Sequence, residues 1–264
     1  MMMLRRYFYL TRLSGAVSVA LLLAMWVSLL QRLKLASLSH RQRLTRHGLA
    51  SMAAALPLRI EVYGTPPEQP ALWLANHISW TDILVLGRFA PLSFLSKAEV
   101  KEWPVAGWLA QQAGTLFIQR GNATQDDVNG QLTHYLEQGH SLLIFPEGTT
   151  TDGRQTGPFH SRLLSCAIST GAPVQPVAIR YRRAGEYDEI APFIGDDELP
   201  EHLKRLLSHG PAVVEVHFLP LIDSKDSSRT QIARQARQAI MRVVGGTESL
   251  ALDNSEARHE IAAA

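Results

Sequence analysis

The segment Asn76-His77-Ile78-Ser79-Trp80-Thr81-Asp82 places a histidine and a carboxylate five positions apart, directly after the apolar run Ala71-Leu72-Trp73-Leu74-Ala75. On one continuous helix, residues five apart are separated by about 140° and do not face each other. With His77 in a strand-to-helix turn, the chain can fold back and bring the Asp82 carboxylate to the imidazole. Such a pair takes a proton from an alcohol, the carboxylate fixing the tautomer and stabilising the imidazolium that forms. Ser79, three residues before Asp82, reads as the N-cap of a capping box that opens the next helix. A plainer reading makes Asp82 only a cap and His77 only a polar turn residue, and these seven residues alone do not separate the two.

A second constellation, Phe145-Pro146-Glu147-Gly148-Thr149-Thr150, follows the apolar run Ser141-Leu142-Leu143-Ile144. A strand that ends in Pro, an acid and Gly makes a tight turn presenting Glu147 and backbone N–H groups at the strand's end. Other chemistries lack support. No Gly-x-Ser-x-Gly elbow exists for a hydrolase. The single cysteine, Cys166, lies in an apolar stretch and reads as a core thiol. The histidine spacings imply no metal, and one cysteine excludes a disulfide framework.

The elements that must position these residues alternate. Strands are predicted at Leu58 to Tyr63, Ala71 to Ala75, Ser93 to Ser96, Thr115 to Ile118, Ser141 to Phe145, Pro176 to Tyr181 and Ala212 to Phe218. Helices are predicted at Trp80 to Arg88, Val105 to Gln112, Gln125 to Glu137, His160 to Ser169, Leu199 to His209 and Arg229 to Val244. This pattern implies an α/β fold with a mixed, largely parallel sheet flanked by helices. Both constellations then sit at carboxyl ends of strands, where open α/β sheets place their sites.

Four blocks occur in order: Asn76-His77-x-Ser79-x-x-Asp82, Gly114-x-x-Phe117-Ile118-x-Arg120, Phe145-Pro146-Glu147-Gly148-Thr149 and Val174-x-Pro176-Val177-Ala178-Ile179. Together they resemble the glycerolipid acyltransferases, over about Trp73 to Tyr181. The resemblance implies that His77 is the general base on an acceptor hydroxyl and that Asp82 orients it. The acyl group would come directly from the thioester of acyl-CoA or acyl-carrier protein, with no other cofactor. Arg120, placed by Phe117 and Ile118, would pair with an acceptor anion, a task suited to the guanidinium fork. Glu147, Gly148 and Thr149 would shape the headgroup site, Lys97 would aid anion binding, and Asn76, Ser79, Pro146 and Pro176 would hold the motifs in shape. Phosphatidate-forming relatives commonly carry Arg after Glu-Gly-Thr and a Phe-Lys pair further on. Here Thr150 and Phe159-His160 stand instead. The variant motif, with Trp80, is closer to the branch that acylates lyso-ornithine lipid. The resemblance implies lysophosphatidate or lyso-ornithine lipid as the acceptor, and the rival class is an inactive lipid-binding scaffold on the same fold.

The chain has 264 residues, 46% hydrophobic, with a formal net charge of +2. That length suits one substantial domain, and the low aromatic content and near-neutral charge give little support to a nucleic-acid binder. The charge is unevenly spread: Met1 to Ile60 carry nine basic residues and no acidic one, and the remainder sums to −7. Leu13 to Leu30 are eighteen residues without a charge, flanked by Arg12 and by Arg32 and Lys34. At about 1.5 Å per helical residue this run nearly matches a ~30 Å hydrocarbon core, and it reads as a retained anchor that spans or dips into one leaflet. Ser39 to Leu58 read as a basic interfacial helix, since anionic lipid rewards each nearby cation by about 1 kcal/mol. The expected layout is an anchor at 1–57, a catalytic domain at 58–244 and a disordered tail at 245–264. Partners would be membrane lipids and a lysolipid. The expected location is a bacterial inner membrane, with the catalytic domain facing the cytoplasm.

Overall fold

A computed structural model describes residues 2–118, 125–246 and 259–260. Two of the expectations above, Arg120 and most of the 245–264 tail, therefore lie outside the described residues. The chain opens with a helical hairpin, α1 (Met2–Arg32) and α2 (Leu38–Ala55). It continues through β1 (Leu58–Tyr63), β2 (Leu72–Ala75), α3 (Thr81–Gly87), β3 (Leu92–Lys97), a 3₁₀ helix at Ala98–Glu102, α4 (Ala106–Gln112), β4 (Leu116–Ile118), α5 (Gln125–Glu137) and β5 (Ser141–Ile144). A 3₁₀ turn at Ser161–Leu164 leads into α6 (Ser165–Thr170), β6 (Val174–Arg183), β7 (Glu186–Tyr187), α7 (Leu199–Ser208), β8 (Ala212–Phe218) and α8 (Arg229–Val244), and the short strand β9 (His259–Glu260) ends the described chain.

The strands form a sheet in the order β4-β3-β5-β2-β6-β8-β1-β9, with β7 hairpinned onto β6. From β4 to β6 every neighbour is parallel. β8 runs antiparallel to β6 and parallel to β1. The parallel half makes the sheet asymmetric. The carboxyl ends of β4, β3, β5, β2 and β6 all emerge along one edge, about 4.8 Å apart.

Alternation along the strands feeds two apolar layers, as a sheet buried on both faces requires. Trp73, Ala75, Leu143, Val177, Ile179, Val214 and Val216 point to one layer, shared with α2, α3, α7 and the inner face of α1. Leu72, Leu74, Leu142, Ile144 and Val174 point to the other, filled by Leu132, Leu164, Ile232 and Ala236. Cys166 is buried in this second layer, and burial pushes its thiol up to about 12. It is a neutral core group.

The N-terminal hairpin is closely joined to this body. Leu13, Ala16, Ala20, Ala24 and Val27 recur at helical spacing and are buried, and Gly48 of α2 sits over Ala20. Three of the basic residues are used within the protein. Arg12 donates to Ala54 O, Arg41 to Gln111 O and Gln112 O, and Arg46 to Arg88 O. Each target is a carbonyl at the carboxyl end of a helix, where orphan acceptors and the negative dipole end favour a cation. Part of the N-terminal positive charge is therefore helix capping.

Candidate active site

His77 leaves the end of β2 just where the strand stops pairing. Asn76, almost fully buried, fixes that exit: its side chain donates to Ile179 O at 3.0 Å and accepts from Ile179 N at 2.8 Å, tying β2 to β6. The turn then folds back, and His77 Nδ1 lies 2.9 Å from Asp82 Oδ2. The same oxygen accepts from the Ile78 and Ser79 amides at 2.7 and 2.9 Å. These contacts correct the capping-box expectation. α3 begins at Thr81, and the Ser79 hydroxyl is buried with no hydrogen-bond partner among the described residues. Only half of the box exists: Asp82 reaches back to the Ser79 amide. Its carboxylate caps the turn and holds the histidine with one oxygen.

The other oxygen is also occupied. Tyr181 donates its hydroxyl to Asp82 Oδ1 at 2.7 Å and lies 2.8 Å from Thr81 Oγ1. Burial and the Asp82 charge hold the Tyr181 hydroxyl well above its ordinary range, so it stays a donor. With Nδ1–H directed at Asp82, Nε2 is the nitrogen left to accept a proton. The ring itself lies on Phe145, with centroids 3.8 Å apart and planes 11° from parallel.

The second constellation reaches the same turn through its backbone. Glu147 is buried, and its oxygens accept from His77 N at 2.8 Å and from Gly157 N at 2.6 Å. Burial raises its pKa and the two amide bonds oppose the rise. Glu147, expected beside the headgroup, here buttresses the histidine's own peptide. Gly148 makes the turn with φ 69°, a left-handed conformation suited to glycine. Thr149 is exposed at that turn. Thr151 donates its amide to His77 O at 2.8 Å, and Thr150 donates its hydroxyl to Phe193 O. Phe193 in turn donates its amide to Ile78 O at 2.9 Å.

Lys97 is exposed at the carboxyl end of β3, on the same edge as His77 but two strands away. Pro146 is buried beside Glu147. Phe117 sits in β4 in register with Ser96. Pro176 lies opposite Leu74 in β6, where β8 departs. It offers no N–H there, and the Gln175 side chain donates to Leu219 O instead. Among the described residues no group of three or more His, Cys, Asp or Glu could hold a metal ion. The sequence reading missed Tyr181, Phe145 and Thr151. Tyr181 lies 99 residues from its carboxylate, a pairing set only by the register of β6 on β2.

An acyltransferase family model matches residues 59–180, which contain all four motif blocks. The chain is 53% identical over 237 residues to a lyso-ornithine lipid O-acyltransferase of Pseudomonas aeruginosa, spanning 89% of this chain and 92% of that one. The chain belongs to the glycerolipid acyltransferase family. This acyltransferase is also 35% identical over 208 residues to a 1-acyl-sn-glycerol-3-phosphate acyltransferase of Neisseria gonorrhoeae, spanning 75% of this chain and 80% of that one. It shares its fold with the crystal structure of the 1-acyl-sn-glycerophosphate acyltransferase of Thermotoga maritima, at TM-score 0.65 and 21% identity over 97% of this chain and 100% of that chain. The mixed, mostly parallel sheet is thus the acyltransferase fold, and the His77–Asp82 pair lies inside the matched region.

Proposed function

We propose that the enzyme is a membrane-bound lysolipid O-acyltransferase, using His77 and Asp82 to move an acyl group from an acyl-CoA or acyl-carrier-protein thioester to a lysolipid hydroxyl. The observation that carries this reading is the 2.9 Å contact of His77 Nδ1 with a buried, fully engaged Asp82 at the sheet edge. Nε2 takes the proton as the hydroxyl oxygen bonds to the thioester carbonyl carbon. The tetrahedral intermediate collapses with cleavage of the C–S bond, and the imidazolium returns its proton to the leaving thiolate. Asp82 compensates the charge on the ring through both proton transfers. No acyl-enzyme is needed, and the buried neutral Cys166 could not supply one.

Lyso-ornithine lipid is the acceptor favoured by the 53% identical relative, which carries that activity in its name. Thr150 supports it. Its hydroxyl is committed to Phe193 O, so the residue after Glu-Gly-Thr adds no cation for a phosphate.

Membrane attachment rests on α1, which is long and apolar enough to cross a bilayer. One face packs on the protein, and Leu22, Met25, Trp26 and Leu29 of the other are exposed. A helix apolar all round needs an apolar surrounding on both sides. α1 lies alongside α2, which carries Arg41, Arg43 and Arg46 and seats on α3 and β3. A spanning α1 would draw those arginines into hydrocarbon at about 2.5–3.5 kcal/mol each. A helix lying in one leaflet, on the cytoplasmic face of a bacterial inner membrane, avoids that cost. Residues 1–57 are then an anchoring hairpin and 58–244 the catalytic unit.

The test is purified full-length enzyme given labelled acyl donor, with lyso-ornithine lipid and lysophosphatidate in competition. Transfer to lyso-ornithine lipid that disappears in a folded His77→Ala variant is expected. Transfer to neither acceptor overturns the reading, and undiminished transfer by the variant overturns the mechanism.

A further inference from the structure

A cavity of about 370 Å³ opens beside the catalytic turn, on the β6 side of His77, opposite the side that carries Glu147 and Lys97. Two of its walls are bonded to the catalytic segment. Asp152 follows Thr151, whose amide donates to His77 O, and Ile194 follows Phe193, whose amide donates to Ile78 O. Thr150 links these walls through its bond to Phe193 O. A ligand in the cavity is therefore a few residues' reach from the base.

The charged lining consists of Asp152, Glu189 and Asp197 against Arg154 and Arg205, a formal charge of −1. Asp197 and Arg205 form a closed fork at 3.0 and 2.7 Å, and Arg205 holds the Asp197 carboxyl below its usual range. This pair is a fixed, neutral wall. Arg154 is different. Its guanidinium lies 4.3 Å over the Tyr187 ring and donates to Glu189 at 3.1 Å, while the side chain stays largely exposed. A guanidinium has five donors, and more than half of this side chain is open to solvent. Asp152 accepts a backbone amide, from Arg154, at 3.0 Å, and its charge reaches the Tyr187 hydroxyl, which it helps to raise. The cavity thus offers an acidic end at Asp152 and Glu189 and a cationic plane at Arg154.

We propose that this cavity is the acceptor's headgroup site, selecting a zwitterionic amino-acid headgroup: the ammonium between Asp152 and Glu189, the carboxylate on Arg154. The assignment rests on the lysolipid-acyltransferase reading above and adds the residues that choose the acceptor. A net charge of −1 attracts a free ammonium and repels a phosphate dianion. A planar guanidinium suits a carboxylate, which it can meet with two parallel bonds.

Calorimetric titration of the full-length enzyme with two soluble probes, N-octanoyl-ornithine and octyl phosphate, tests the site without turnover. The ornithine probe is expected to bind more tightly. Asp152→Asn, Glu189→Gln and Arg154→Gln should each weaken it about tenfold, the size of one charged hydrogen bond. Glu189 is so exposed that its replacement leaves the fold unchallenged. In the transfer assay the same variants should raise KM for lyso-ornithine lipid with little change in kcat. Equal binding of the two probes, or affinities and KM values that the variants leave unchanged, overturns the site. Selective probe binding without transfer to any lysolipid overturns the functional reading and leaves the site standing. Transfer with an unmoved KM does the reverse.

Discussion

The hydroxyl of Tyr181 donates to Asp82 Oδ1 at 2.7 Å, across 99 residues of sequence, and so fixes the far side of the carboxylate that holds His77. Tyr181→Phe keeps the ring and its packing and removes that one donor. A buried acceptor stripped of its partner costs about 1–3 kcal/mol. The expected result is a stability loss of that order, with kcat reduced about tenfold and KM little changed, because Asp82 gains freedom to turn from the imidazole. Denaturant unfolding and steady-state kinetics check it. A raised KM with kcat intact would move Tyr181 from positioning to binding.

Asp82→Asn tests the carboxylate itself. The amide can still accept from the Ile78 and Ser79 amides, so the turn should survive. Its oxygen in the Oδ2 place also keeps Nδ1–H directed at it, but the neutral amide cannot balance the imidazolium. A kcat loss of about 10²- to 10⁴-fold is expected, the range of general acid–base contributions. A loss under tenfold would place the base elsewhere.

The reach of the sequence differs between these residues for physical reasons. β1, α5 and α8 have the bounds read from the sequence, because each is a periodic run ended by its own breakers. α8 adds a capping box at Ser228 and Gln231. The predicted helix from His160 to Ser169 is a 3₁₀ turn followed by a short helix. β7 went unread because a two-residue strand beyond the Ala184-Gly185 turn has no period at all. His77 and Asp82 were legible because both belong to one turn. Tyr181 and the Phe145 ring become partners only through strand register, which no local pattern encodes.

The N-terminal charge needs a similar division. Arg41 bonds two carbonyls at the end of α4 and is half-buried, which lowers its pKa. Arg41→Gln is expected to lower stability by about 1–2 kcal/mol, from hydrogen bonds and dipole together. It should leave binding to anionic vesicles nearly unchanged. If it weakened vesicle binding and left unfolding untouched, the arginine would serve the lipid surface instead.

The proposed lipid contact is the exposed face of α1. Leu22, Met25, Trp26 and Leu29 stand at helical spacing and are 47–64% exposed. Burying a side chain of this size is worth about 1.5–3 kcal/mol. A Leu22→Glu/Trp26→Glu variant should therefore lose at least about 100-fold in vesicle partition, measured by co-sedimentation, with its circular dichroism unchanged. Undiminished partition would remove α1 from the membrane contact.

Acid sensitivity is predicted at His202, which is completely buried. Its Nδ1 accepts from Trp80 Nε1–H at 3.0 Å, and Nε2 lies 3.1 Å from both Ala191 O and Pro192 O. Only the neutral ring with its proton on Nε2 satisfies all three contacts. Burial, with the Arg205 charge, lowers its pKa below the ordinary 6.5. Between 6.5 and that lower folded value the unfolded chain binds more protons. The stability tied to His202 is thus fully present above pH 6.5 and is lost as pH falls through the folded value. Protonation would also set Nδ1–H against the Trp80 N–H and loosen the 191–193 segment, whose Phe193 amide holds Ile78 O beside His77. His202→Gln should be less stable than wild type at pH 8, with the difference shrinking by pH 5. Thermal unfolding at the two values measures it, and a gap that stays constant would show that His202 does not set the acid limit.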